Sequence, residues 1–155
     1  MIYACGLRCS EAVNLRVDAI DSARLTLRVV GKGDKERLVP LPALLLDALR
    51  AHWTTHRDRT WMFPSPEREG PIRVACAQKA FRRVREQAQL DEAFTAHSLR
   101  HSYATRLLER GVELRVVQIL LGHANIQSTQ VYTHLTTSLR RDVQHTVEKV
   151  FAGLL

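Results

Sequence analysis

The chain has 155 residues, 45% of them apolar, which suits one globular domain with a packed core and excludes wholesale disorder. Lysine and arginine total 23 against 16 for aspartate and glutamate, and the formal net charge of +7 favours a polyanionic partner such as nucleic acid. No apolar run is long enough to cross a bilayer and no segment resembles a signal peptide, so we expect a cytoplasmic protein.

The first part of the chain predicts one helix followed by a β-hairpin. The helix is expected over residues 10–17. Residues 25–30 then place an apolar side chain at every second position, the pattern of a half-buried strand. The glycines of residues 31–35 favour a turn, and residues 37–39 return as a second strand. This hairpin would carry Lys32 near its tip.

The remainder of the chain predicts helices almost throughout. A helix entered through Pro42 has an apolar face made of Leu44, Leu45, Ala48, Leu49 and Trp53. A basic helix over residues 73–89 is expected to bury Ala77, Ala80, Phe81, Val84 and Ala88. Further helices are expected over residues 98–109, 113–121, 127–132 and 138–151. The predicted fold class is therefore mainly α with a small antiparallel β-sheet (α+β).

The cysteines and paired histidines give little support to a metal site. Cys5, Cys9 and Cys76 form an odd set, which is typical of reduced thiols. Neither the Cys5/Cys9 pair nor the His97/His101 pair has the further ligands at suitable spacing that zinc requires. We therefore predict no metal and no cofactor.

Five short motifs contain the residues best suited to chemistry. On a helix, His97, Arg100 and His101 would fall on one side. Burying three polar side chains together in a core would be unfavourable, so this side is expected to face a site or the solvent. Taken singly, each motif is more often structural, since this cluster could be a solvated helix face and a lone tyrosine is usually a packing residue. The motifs are Gly6-Leu7-Arg8-Cys9-Ser10-Glu11, Gly31 to Lys35, His97-Ser98-Leu99-Arg100-His101, Leu121-Gly122-His123, and Tyr132 nine residues later.

In this order and at these spacings the motifs resemble the catalytic domain of the tyrosine recombinases, the phage-integrase family, in particular its Xer and integron-integrase branch. The resemblance covers essentially the whole chain. It implies the tyrosine-recombinase catalytic-domain fold and a DNA-cutting and rejoining activity. It also implies six catalytic positions, which are Arg8, Lys32, His97, Arg100, His123 and Tyr132.

The resemblance implies a role for each of these side chains. Tyr132 would attack a DNA phosphorus and form a 3′-phosphotyrosyl link. This link conserves the energy of the phosphodiester bond, so rejoining needs no ATP. Because a free tyrosine has a pKa of about 10, it needs a base, here His97, and a positive field. Arg8 and Arg100 would contact the non-bridging oxygens and, together with the lysine, supply the charge that a metal supplies elsewhere.

The remaining positions have supporting or DNA-contacting roles in this interpretation. Lys32 would protonate the leaving 5′-oxygen and His123 would donate a hydrogen bond. Glu11 and His101 would support the catalytic residues without reacting themselves, Glu11 by orienting the local structure. The candidate DNA contacts are the basic residues Lys35, Arg37, Arg73, Lys79, Arg82 and Arg83.

The resemblance also bears on partners and on domain organisation. Residues 1–4 look like the last turn of a helix that Gly6 ends, so we expect the natural protein to continue upstream, where relatives carry a core-binding domain. Double-stranded DNA is the expected partner, with location at the nucleoid. We also expect a homotetramer on DNA, with the apolar stripe of the last helix docking in trans. The alternatives are an inactive or accessory DNA-binding remnant, a type IB topoisomerase-like relaxation activity, and a small helical interaction protein.

Overall fold

The computed structural model describes residues 1–31, 36–122 and 137–153. Its elements, in chain order, are α1 (Ile2–Cys5), α2 (Cys9–Val13), a 3-10 turn (Val17–Ala19), β1 (Ile20–Asp21), β2 (Thr26–Val30), β3 (Glu36–Pro40), α3 (Ala43–His56), α4 (Val74–Gln87), α5 (Ala96–Glu109), α6 (Leu114–Leu121) and α7 (Thr137–Ala152). The predicted fold class, mainly helical with a small antiparallel sheet, is confirmed.

The sheet has three antiparallel strands in the order β1-β2-β3. Leu27 pairs with Val39 and Val29 pairs with Arg37, so these four residues share one face of the hairpin. That face points inward, and all four side chains are buried. The predicted hairpin strands are confirmed, whereas the turn residues 32–35 lie outside the described part of the chain.

Two hydrophobic clusters form the core. One joins α1, α2, the sheet and α3, and the other joins α5, α6 and α7. The predicted apolar stripe of α7 is confirmed, since Val143, Val147 and Val150 are buried in the second cluster. In this structure the stripe therefore packs against the core of its own chain.

Two helices are shorter or rotated relative to the prediction. The helix expected over residues 10–17 ends at Val13, because the following backbone pairs instead with a distant segment: the N–H of Met62 donates to the carbonyl of Leu15 at 2.9 Å. In α3, Leu46 is buried, while Leu44 is 49% exposed. Ala48 is also exposed, so the buried stripe lies partly to one side of the predicted face.

The prediction that α4 buries an apolar side is wrong for the described part of the chain. No residue of α4 is buried there, and Val84 is 61% exposed. The physical reason is that α4 packs mainly against the short helix α2, which cannot cover a 14-residue helix. Its apolar and basic faces are both largely accessible.

Candidate active site

Gly6 sets the geometry at the start of the site. It ends α1 with φ +61°, a left-handed conformation that favours glycine. A Cβ atom at this position would lie 2.6 Å from Cδ1 of Tyr103, so α1 can approach α5 only because no side chain is present. Arg8 follows as the N-cap residue of α2, with its side chain 41% exposed.

Glu11 is the centre of an ionic cluster. Its carboxylate accepts hydrogen bonds from the backbone N–H and Nη1 of Arg8, at 2.7 and 2.8 Å, and from both Nη atoms of Arg37, at 2.9 and 2.7 Å. Nη1 of Arg100 lies 3.7 Å from Oε2 of Glu11. Burial alone would raise the pKa of Glu11, but the bonds from Arg37 and Arg8 lower it to about 2. The carboxylate is therefore ionised at neutral pH.

Arg100 ties three segments together from the interior. Its Nη1 donates to the carbonyl of Gly6 and its Nη2 to the carbonyl of Leu121, both at 2.5 Å. Burial, followed by the charge of Arg8, lowers the pKa of Arg100 to about 10, so the guanidinium is still protonated at neutral pH. Because a guanidinium has five N–H donors, these two bonds leave others for a ligand.

His97 lies at the start of α5, next to the N-cap of the helix. The Oγ1 of Thr95 accepts from the N–H of Ser98 at 3.4 Å, and Oγ of Ser98 accepts from the N–H of Thr95 at 3.1 Å. This reciprocal cap defines where the helix begins and so where His97 is placed. Both His97 and His101 are exposed.

A cavity of about 460 Å³ brings three of the predicted catalytic residues together. Arg8, His97 and Arg100 line it, so the motifs near residues 8 and 100 meet in space as the sequence predicts. Arg82, from the basic helix α4, lines the same cavity. Two arginines and an imidazole around one concave site provide the hydrogen-bond donors that a phosphate diester needs.

Four predicted site residues lie outside the described residues. These are Lys32, Lys35, His123 and Tyr132. The neighbouring residues that the structure does describe are the ends of β2 and β3 for the two lysines, Gly122 for the histidine and the start of α7 for the tyrosine.

Arg37 requires a correction, because it does not fit a direct DNA contact. The side chain of Arg37 is 2% exposed, and its donors are directed at Glu11 and at the carbonyl of Leu120. The register explains the difference, since Arg37 pairs with Val29 on the inward face of the hairpin. By contrast, the other described candidates are exposed on or just before α4, and they are Arg73, Lys79, Arg82 and Arg83.

Sequence reasoning missed Arg85, which holds the connection into α5. Its Nη1 donates to the carbonyls of Glu92 and Phe94, at 2.7 and 3.5 Å, and its side chain also lines the cavity. These are side chain to backbone contacts that bridge seven and nine residues, and they have no local sequence signature.

Within the described ranges, no three His, Cys, Asp or Glu side chains lie close enough together to hold a metal ion. In the same described ranges, no helix has the length and apolar character needed to cross a membrane.

The fold and the site define an α+β domain with clustered arginines around a cavity of about 460 Å³, and comparison with known proteins identifies its family. The model of the phage integrase family matches residues 1–138, so the chain belongs to this family. It is similar to the tyrosine recombinase XerC of Halalkalibacterium halodurans, with 40% identity over 155 residues, covering 94% of this chain and 51% of the relative.

Solved structures show the same fold. The integrase of mycobacterium phage Brujita aligns with a TM-score of 0.75 and 28% identity, over 96% of this chain and 48% of that one. The XerH site-specific recombinase bound to its difH substrate aligns with a TM-score of 0.71 and 30% identity, over 91% of this chain and 43% of that one. The chain spans about half the length of the curated relatives it matches, from 44% to 51% for three of them.

Proposed function

We propose that this chain is the catalytic domain of a site-specific DNA recombinase, which cuts and rejoins strands through a phosphotyrosyl bond to Tyr132. The observation that carries the proposal is the convergence of Arg8, His97 and Arg100 on one cavity in a member of the phage integrase family. The DNA-bound XerH structure supports double-stranded DNA as the substrate class.

The two arginines divide the work of holding the scissile phosphate. Arg100 is anchored by two backbone carbonyls and is 6% exposed, so it offers a fixed donor set at the base of the cavity. Arg8 is more exposed and reaches the cavity from the N-cap of α2. Donors that are fixed before reaction stabilise developing negative charge without a reorganisation cost.

The proposed reaction is a transesterification in two symmetric steps. Oη of Tyr132 forms a bond to phosphorus as the bond from phosphorus to the 5′-oxygen breaks. His97 takes the phenolic proton, Lys32 gives a proton to the leaving 5′-oxygen, and His123 donates a hydrogen bond to the phosphate. In the second step a 5′-hydroxyl attacks the phosphotyrosyl bond, so that the proton transfers reverse and Tyr132 is released.

The basic helix α4 is the proposed DNA-contacting surface. Arg82 lines the catalytic cavity, and Lys79 and Arg83 are exposed on the same helix, with Arg73 at its N-cap. Contacts of this kind fix the orientation of a duplex and make affinity dependent on salt. Lys35 is included in the proposed surface, and Arg37 is not.

Assembly on DNA belongs to the same proposal. We infer a homotetramer bound to two duplexes, acting at the nucleoid, with an upstream core-binding domain completing the grip on DNA. Because the apolar stripe of α7 is used within its own chain, docking of that helix in trans would require it to leave this position.

A trapping assay tests the activity. The chain is incubated with a pool of nicked duplexes drawn from the DNA that flanks its gene, because a nick next to the cleavage point lets the short 5′-hydroxyl fragment diffuse away. We expect a covalent adduct on a denaturing gel with the wild type and none with Tyr132→Phe. No adduct from the wild type would favour a DNA-binding remnant, and relaxation of supercoiled DNA without sequence preference would favour a topoisomerase-like activity.

A further inference from the structure

We propose that Arg37 is a positioning residue that keeps Glu11 from competing with the DNA phosphate for Arg100, an inference that rests on the proposed recombinase function. Arg37 is buried, and with described residues it makes three hydrogen bonds, two to the Glu11 carboxylate and one from Nε to the carbonyl of Leu120 at 2.8 Å. It therefore acts through the groups it holds.

The hydrogen-bond capacity of Glu11 makes it a competitor for nearby guanidinium groups. A carboxylate has about four acceptor sites, and Arg37 occupies two of them in a bidentate contact. Without Arg37, those sites would be open in a buried location 3.7 Å from Nη1 of Arg100. Arg8 already donates Nη1 to this carboxylate at 2.8 Å, so the newly open sites would draw the guanidinium of Arg100 towards Glu11 and away from the cavity.

Arg37 also packs against the end of α6. A Cβ atom on Gly122 would lie 3.0 Å from Cδ and Nη1 of Arg37, and Gly122 has φ +67°. Arg37 holds the carbonyl of Leu120, while Arg100 holds the next carbonyl, that of Leu121. Two arginines thus fix the backbone immediately before Gly122 and His123.

Arg37 also lies in the hairpin that leads to Lys32. It is the second residue of β3 and pairs with Val29 of β2, so it lies at the base of the segment that contains Lys32. One buried guanidinium therefore joins the strand next to Lys32, the helix that begins after Arg8 and the helix end that precedes His123.

The pH dependence of cleavage distinguishes this role from general support of the fold. Among the described residues, the charged groups that face Glu11 are Arg8 at the N-cap of α2, Arg37 on β3 and Arg100 on α5. If Arg37 is replaced by Met, burial of Glu11 is unchanged while its largest favourable partner is lost, so the pKa of Glu11 rises. Because protonated Glu11 no longer competes for Arg100, cleavage by the variant relative to the wild type should increase as the pH falls through this raised pKa.

The experiment compares Arg37→Met with the matched control Arg28→Met, which removes the same charge from an exposed pair with Glu36 on the neighbouring strand. Single-turnover cleavage of the trapping duplex and DNA affinity are measured separately across pH. We expect Arg37→Met to cleave at least about tenfold more slowly, with its DNA affinity within about twofold of wild type and an unchanged salt slope. Weaker binding with a reduced salt slope and an unchanged rate would overturn the proposal in favour of a DNA contact.

A double variant keeps the test decisive if Arg37→Met folds poorly. Arg37→Met with Glu11→Gln removes both charges, so the competing carboxylate is gone, and we expect cleavage at least about threefold faster than for Arg37→Met alone. Cleavage no faster than that of the single variant would contradict the proposal.

If the wild type forms no adduct, the recombinase proposal fails, and inorganic phosphate still tests Arg37. Phosphate binding followed by NMR should then weaken in Arg37→Met and be unchanged in Arg28→Met. Equal phosphate binding by both variants would overturn the inference.

Discussion

At the scale of single residues, the site depends on two glycines that allow close approach and on one buried carboxylate. The sequence identifies Gly6 as a helix stop and Arg8 and Arg100 as candidate phosphate ligands, and the structure places both arginines at one cavity. It does not reveal that Arg37 points inward, although the pairing of Arg37 with Val29 could have been anticipated from the strand alternation. For Arg37, the strand register indicates the direction of the side chain better than its charge does.

Gly6 meets two requirements, a left-handed backbone and close packing against Tyr103, and mutation can separate them. Gly6→Ala combines a left-handed backbone with a Cβ 2.6 Å from Tyr103, whereas Gly111→Ala has φ +78° and no atom within 4 Å of the new Cβ. We expect Gly111→Ala to lower the free energy of unfolding by about 1–2 kcal/mol from backbone strain. Gly6→Ala should cost about 1–3 kcal/mol more, from overpacking, as measured by urea denaturation. Equal losses for the two variants would show that α1 does not pack against α5 in this way.

The buried carboxylate predicts how stability depends on pH. The pKa of Glu11 in the folded chain is about 2, below its ordinary value of 4.5. Because the folded-state pKa is depressed, the stability that ionised Glu11 contributes is present above about pH 4.5 and is lost as the pH falls towards about 2. We expect Glu11→Gln to be less stable than the wild type at neutral pH, with a difference that narrows over this window in urea denaturation. The control is Glu109→Gln, which removes a surface partner of Arg106, and its free energy of unfolding should change with pH in parallel with that of the wild type. If the free energy of unfolding of Glu11→Gln also ran parallel to that of the wild type, the buried ion cluster would be contradicted.

At the scale of elements, the apolar periodicity predicted helices and strands correctly where the local sequence determines them. It failed where distant segments compete for the same backbone hydrogen bonds or determine burial. The hairpin strands, α6 and α7 were predicted well because each has a strong apolar pattern of its own. The helix over residues 10–17 was predicted too long, because the backbone of Leu15 bonds to Met62, a contact that no local pattern encodes. The amphipathic pattern of α4 correctly indicated a helix but not its burial, since burial depends on which elements surround it.

The exposure of α4 leads to a prediction about DNA. Arg83 is exposed on this helix and is proposed to contact a phosphate. We expect Arg83→Gln to weaken binding about equally for all duplex sequences and to reduce the slope of log affinity against log salt by about 1. Arg106→Gln, an exposed arginine of α5 paired with Glu109, is the matched control and should leave the slope unchanged in fluorescence anisotropy. A loss confined to one sequence would instead indicate base recognition by Arg83.

At the scale of the whole molecule, the site is assembled by hydrogen bonds between segments far apart in the chain. Arg100 reaches Gly6 across 94 residues, and Arg37 reaches Leu120 across 83. The motifs indicated that Arg8, His97 and Arg100 would lie near one another, and the structure brings these three residues to one cavity. The motifs could not predict the carbonyls and the carboxylate that hold these residues, since such contacts have no signature in a linear pattern.

The most direct test of the central claim is to map the nucleotide adduct to a residue. The chain contains three tyrosines, Tyr3, Tyr103 and Tyr132, and Tyr103 is fully buried. After trapping on a nicked duplex, nuclease and protease digestion followed by mass spectrometry identifies the peptide that retains the nucleotide. We predict that it is the peptide with Tyr132 and that Arg100→Ala abolishes its formation while Arg106→Ala does not. An adduct on Tyr3, on a serine, or on any peptide without Tyr132 would contradict the proposed nucleophile and the mechanism built on it.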